Sequence, residues 1–168
     1  MELFTRLYAH NTWANARMLK AAASAPAGFL GAPGGFGQPV ESRLQQLQHA
    51  LGVERGFLDA LKGVATMPEP PRDAAGLAAY ARETGEGFAA FCAGLDEQRI
   101  EAPFYVPWWE REFPVSAGLL QALSHSAQHR AEIALDLSRA GVDTGNLDYI
   151  VWYANGRPGP GDPWPASA

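Results

Sequence analysis

The sequence predicts an all-α protein, folded as a four-helix bundle whose long breaks allow a crossover topology. Four stretches of roughly 22 to 24 residues place apolar side chains at helical spacing. Breaks rich in proline and glycine separate them. No long segment shows the two-residue alternation of a sheet. Helices with one apolar stripe must bury it against one another, and a bundle does this simply. The 168 residues suffice for one core. Residues 1–155 are expected to form a single domain, with 156–168 a Pro/Gly-rich C-terminal tail.

The first helix is expected from Glu2 to Ala25, where Phe4, Leu7, Tyr8, Ala14 and Met18 recur on one side. It ends at "APAGFLGAPGGFGQP", whose three prolines and five glycines exclude regular structure. The second should run from Val40 to Lys62 on a stripe of Leu44, Leu47, Leu51, Leu58 and Leu61. After "GVATMPEPPRD", Asp73 is suited to cap a third helix reaching Leu95. The segment "PFYVPWWEREFPVSAG" is aromatic, β-branched and broken by three prolines, which fits a short irregular hairpin or crossover loop over 103–115. Ser116 resembles an N-cap for a fourth helix from Ala117 to Ala140, stopped by Gly141. "LDYIVWYAN" can add a short terminal helix.

Composition narrows the function. A formal net charge of −5 and the lack of any Lys/Arg run argue against nucleic acid or an anionic membrane as partner. A small molecule or another protein remains. The single cysteine, Cys92, cannot form an internal disulfide and is expected to be a small buried apolar residue. The first residues carry scattered charges unlike a signal peptide, and no window is apolar enough to span a membrane. The expected compartment is the cytoplasm.

The chemistry concentrates in "LSHSAQHRAEI". His125 and His129 lie about 40° apart on one helical face, which Ala122, Glu132, Ile133 and Asp136 share. On the second helix Gln48, Arg55, Asp59 and Lys62 form a narrow polar face. The rest is a mostly apolar arc, interrupted by Arg43 and Glu54. His49 lies in that arc with Val53, Phe57 and Ala60, so it is expected to face protein and not bulk water. Histidines at i and i+4 can reach one ion, as in HExxH sites. Ser126 stands where the metalloprotease glutamate would be, which argues against a protease. The same spacing also occurs between core histidines that hold no metal. Three buried imidazoles without a shared ion would, however, each need a hydrogen-bond partner in an apolar setting.

Three segments carry a family resemblance. "HNTWANARML" is similar to the opening Y-N-x-W-A-N-x-R-[LM]-L of the DinB-like (YfiT-like) superfamily of bacterial metal-binding four-helix proteins. "LQQLQHALGVERGFLDAL" resembles its second-helix L-x-H-[LI]-[LA]-x-x-E, with Ala50 a departure. "LLQALSHSAQHRAEIALDLSRAGVDTGNLDYIVW" resembles its closing H-x-x-x-H-R-x-[EQ]-I segment, acidic residue and aromatic tail. The resemblance implies a metal triad of His49, His125 and His129, the same three that the helical faces select. It also implies an antiparallel four-helix bundle with a long crossover connection, often a homodimer, with relatives that include transferases using low-molecular-weight thiols and a thiol-dependent isomerase. His10 departs from the family's usual tyrosine and is expected to be a neighbour of the site or a packing residue.

Such a site would hold Zn2+, or Ni2+ or Fe2+, with positions open to water or a thiol. The expected activity is S-transfer from a small thiol to an electrophile. Metal-dependent hydrolysis, or metal binding without turnover in a structural or stress-associated protein, are the alternatives. Glu132 and Asp136 could orient an imidazole, act as base or simply be solvated. Asn11, Trp13 and Asn15 are candidate substrate contacts that could equally bridge helices and pack. Tyr105, Trp108 and Trp109 could line a pocket mouth or cover the end of the bundle.

Overall fold

The computed structural model describes residues 2–34 and 41–162. Among these the chain is mostly helical, with six α-helices and one two-stranded sheet. The long helices are α1 (Glu2–Ser24), α2 (Arg43–Leu61), α3 (Ala74–Ala93) and α5 (Val115–Arg139), and the short ones α4 (Glu97–Ile100) and α6 (Tyr149–Ala154). Strands β1 (Pro103–Val106) and β2 (Arg111–Pro114) pair antiparallel, with Phe104 opposite Phe113, and a 3-10 turn over Pro107–Trp109 joins them. The expected hairpin is therefore present. No helix of the described residues is long and apolar enough to cross a membrane.

Side-chain contacts fix the helix directions. Tyr8 stacks on Phe88 at 4.0 Å while Thr12 lies against Gly85, so α1 and α3 run in opposite senses. Arg43 meets Asp136, and Ser126 meets Glu54, so α2 and α5 also oppose each other. By contrast α2 and α3 run the same way, since Arg55 lies over Tyr80 and Leu58 against Gly87. Their connection must travel back along α2, about 28 Å for its 19 residues. The sequence "MPEPP" does this in extended form, which proline favours because it has no N–H to satisfy. Met67 passes Gly56, Pro70 passes Gly52, and Gln48 Nε2 donates to Pro71 O at 3.0 Å. A Cβ on Gly52 would come within 2.8 Å of Pro70 Cγ, so the glycine admits the crossing chain.

The apolar core has two principal clusters. Tyr8, Phe57, Phe88, Phe91, Phe104 and Leu119 gather beneath the hairpin. Met18, Leu47, Leu51, Leu77, Ile133 and Leu137 fill the other end. Between them Asn11, Asn15, Glu54, Thr84, Ser126 and Arg130 are buried at one level of the long helices. Trp152 of α6 packs with Trp13 and Ala14 in a third, smaller group. Its indole Nε1 donates to Pro158 O at 2.9 Å, so the described part of the tail folds back onto α6.

Local signals were mostly where the sequence placed them. Asp73 caps α3 by accepting from Gly76 N, and Gly141 sits at φ 76° just past α5, in the left-handed region where glycine ends helices. Two boundaries need correction, and one short helix was missed. Helix α2 starts at Arg43, capped by Ser42, whose Oγ accepts from Gln45 N; Val40 lies outside the described residues. Ser116 is no cap, because α5 begins at Val115 straight from Pro114, and Val115 N donates to Ala102 O at 3.0 Å. Helix α4 was not anticipated, being too short to show a period; Asp96 caps it through Arg99 N.

Gly85 tests the α1–α3 contact. A Cβ there would meet Thr12 Cβ at 3.0 Å, and Thr12 cannot clear it by rotating its side chain alone. Gly85→Ala should lower stability by about 1–3 kcal/mol. That outweighs the roughly 0.5–1 kcal/mol that alanine offers a helix over glycine. Urea unfolding midpoints read the difference.

Candidate metal centre

The opposed packing of α2 and α5 brings His49 onto the turn of α5 that carries His125 and His129. One ring nitrogen from each lies within 4.8 Å of the others. His49 Nε2 and His125 Nε2 are 3.2 Å apart, and ring centroids are separated by 4.9, 5.0 and 4.5 Å. Two nitrogens bound tetrahedrally to one ion at about 2.05 Å stand about 3.3 Å apart. The first pair already matches, and the third ring needs only a small closing motion.

The donor chemistry fits as well. His129 Nδ1 donates to Glu132 Oε2 at 2.8 Å, which leaves its Nε2 lone pair for an ion. Gln46 Nε2 donates to the same Glu132 oxygen at 2.6 Å and holds that carboxylate from α2. His125 Nδ1 is buried without a hydrogen-bond partner, so apart from the contact of its Nε2 with His49 the ring is held by packing. Burial, reinforced by the neighbouring His129 and His49, pulls the His125 pKa from 6.5 down to about 4. The His49 pKa is lowered too, by burial and then by His129. Neutral imidazole is the form a metal requires.

His49 departs from expectation in one respect. It faces α5 as the apolar arc implied, but the residue as a whole is exposed, while His125 and His129 are half-buried. Beside it a shallow groove runs between α2 and the crossover, bounded by Gly52, Val53, Met67 and Pro68. Of the triad, His49 alone borders this groove.

The remaining candidates lie elsewhere. Asp136 is held by Arg43 at 2.9 Å and approached by Arg139 at 3.6 Å, so it ties α5 to the start of α2. Asn11, Trp13 and Asn15 are only 1–2% exposed. The two asparagines are bonded within the buried polar layer. His10 Nε2 donates to Leu147 O at 2.8 Å, and its ring sits among Trp13, Tyr149 and Trp152, which makes it a packing residue between α1 and the C-terminal segment. Tyr105 is 51% exposed on the outer face of β1 and borders a cavity with Ala60 and Lys62. Ala60 is eleven positions beyond His49, about 16 Å along the helix. Trp108 and Trp109 pack edge-on against Phe57 at 5.2 and 6.0 Å, covering that end of the core. Cys92 is buried as expected, and burial pushes its thiol up to about 11.

Sequence reasoning missed Gln46 and the linkage of Glu54, Ser126 and Arg130. The signals were present: a glutamate interrupting an apolar arc, and a Ser/Arg pair at i, i+4 one residue after the two histidines.

A mostly helical protein in which two opposed helices close three histidines into a cluster able to hold a divalent ion is the class defined by this fold and site. The chain belongs to the DinB family, whose sequence model matches residues 1–158. No curated protein matches it.

The lowered histidine pKa values set a pH dependence. A group whose folded pKa lies below its unfolded value stabilises the fold above the unfolded pKa and loses that contribution as pH falls through the folded one. Metal-free protein should lose this stability between about pH 6.5 and pH 4. Thermal melts across the window should show the decline, and His125→Gln should flatten it. Equal slopes would show that His125 does not contribute.

Proposed function

We propose that this protein binds one divalent ion through His49, His125 and His129 and works as a metal-dependent transferase that moves the sulfur of a small thiol onto a small electrophile. The scaffold is then an antiparallel four-helix bundle with α2–α3 as its long crossover. The observation that carries the reading is the exposure of His49 at the edge of the cluster, beside the groove. A structural site is closed by a fourth protein ligand, whereas a working site leaves a position free.

A divalent ion in such a site supplies acidification of a coordinated thiol or water near neutral pH. Zinc suits thiolate best, and nickel or iron suits the imidazoles equally well. His49 and His125 would hold the ion from opposite helices, while Glu132 keeps His129 in the tautomer that presents Nε2. In the transfer the thiol loses its proton to solvent, a sulfur–carbon bond forms, and the leaving group departs with its electron pair. Hydrolysis at the same site fits less well. A water nucleophile profits from a free carboxylate base, and both acids on this face are committed, Glu132 to His129 and Gln46, Asp136 to Arg43. Asn11, Trp13 and Asn15 then serve the scaffold, and Tyr105 does not touch substrate. A cytoplasmic setting suits the lone buried thiol of Cys92. A homodimer is expected, for which Leu120 and Leu135 on the outer side of α5 are available.

Elemental analysis of tag-free protein after incubation with Zn2+ and Ni2+ should find about one ion per chain, and almost none in His49→Ala or His125→Ala. Equal metal content in all three would sink the metal reading. Glu132→Ala should weaken binding by about 10- to 100-fold, read by competition with a chelating dye. Metal-loaded protein screened with several low-molecular-weight thiols and a generic electrophile should turn over. Chelation should abolish that turnover while circular dichroism and Tm stay nearly unchanged. A large fall in Tm without any turnover would instead favour a metal-binding protein that catalyses nothing.

A further inference from the structure

The buried polar layer in mid-core has no part in the site as described, yet two of its members directly follow the histidines of α5. Glu54 Oε1 accepts from Asn11 Nδ2 at 3.0 Å, and Glu54 Oε2 accepts from Asn15 Nδ2 at 3.0 Å and from Ser126 Oγ at 2.6 Å. Arg130 donates through one guanidinium nitrogen to the side-chain oxygens of both asparagines, at 2.8 Å for Asn15. The charges of Glu54 and Arg130 are thus joined through two amides, each of which donates to the acid and accepts from the base. Glu54 is 1% exposed and Arg130 8% exposed.

We propose that Glu54, Asn11, Asn15, Ser126 and Arg130 are positioning residues for the metal centre, locking the rotation of α2 and α5 so that His49, His125 and His129 converge on one ion. The inference rests on the metal-binding reading above. Ser126 and Arg130 each follow a histidine by one residue, about 100° round the helix. With that face bonded inward to α1 and α2, the histidine face is set toward His49. A side chain reaches about 5–6 Å from a helix axis, so a rotation of about 10° displaces a ring nitrogen by about 1 Å. Coordination tolerates about 0.2 Å. Apolar packing alone allows repacking on that scale, whereas a carboxylate that must satisfy three donors permits little rotation. Asn11 and Asn15, one turn apart on α1, make α1 the fixed reference for both ligand-bearing helices.

The test compares cobalt and zinc binding by wild type, Ser126→Ala, Glu54→Gln and Phe91→Ala. Phe91 is a buried residue of α3, which carries neither a histidine of the triad nor a member of the network, and its truncation controls for lost stability. Ser126→Ala removes only the bond from Glu54 to α5 and is the variant that keeps the test decisive if Glu54→Gln fails to fold. The expected result is affinity about 10-fold weaker or more in Ser126→Ala, with a shifted cobalt d–d spectrum. Phe91→Ala should melt lower yet bind as wild type with an unchanged spectrum. Wild-type affinity and spectrum in Ser126→Ala would overturn the inference, as would an equal loss in Phe91→Ala. A wild type that binds no metal would instead overturn the reading on which it rests.

Discussion

The arrangement depends on one buried interaction, the pairing of Glu54 with Arg130 through Asn11 and Asn15. Two opposite charges inside a core are expensive to desolvate, and their attraction seldom recovers more than that cost. Burial lowers the Arg130 pKa while Glu54 pulls it back up. What makes the pair tenable is saturation, since the acid receives three donors and each amide is used at both ends. Removing one member of such a pair strands the other, commonly at about 3–5 kcal/mol. The layer is therefore a poor source of net stability and a strong source of uniqueness. Rotate or slide one of the three helices and several groups lose partners together.

That layer also divides the core. On one side aromatic side chains of α1, α2 and α3 pack under the hairpin, and on the other the leucines of α2 and α3 meet Met18, Ile133 and Leu137. Two apolar clusters could each tolerate a shifted register, because hydrophobic burial is not directional. Polar contacts between them remove that freedom. The triad spans α2 and α5, and its two α5 histidines each precede a member of this layer.

Much of this was legible in the sequence, and the reasons differ from element to element. The long helices declared themselves through sustained periodicity, and the histidine trio through spacing on α5 and an arc on α2. Helical arcs give direction and not depth, which is why His49 faces α5 as expected yet remains exposed. The start of α5 was hidden because Ser116 looks like a cap. In the fold Pro114 brings the chain in from β2, and Ala102 takes the first amide. The network left only hints, a glutamate inside an apolar arc and a Ser/Arg pair beside the histidines. Asn11, Asn15, Glu54, Ser126 and Arg130 belong to three helices, and one at a time none of them names its partners. Only the relative helix directions bring them together.

The three histidines are not equivalent, and the inequality has a structural source. His129 is oriented by Glu132, which Gln46 steadies from across the interface; His125 is gripped by packing; His49 stands at the edge. The edge exists because α2, besides packing on α3, bears two further neighbours at once. One side of it opposes α5, and along another the crossover is pressed close at Gly52 and Gly56, with little side-chain bulk between. His49 falls at the seam between these neighbours, where neither covers it. The same connection that lets α2 and α3 run parallel thus leaves the His49 edge of the cluster exposed, with the polar layer beneath its inner side. Rigidity on the core side and access on the crossover side are what a site that exchanges small ligands requires.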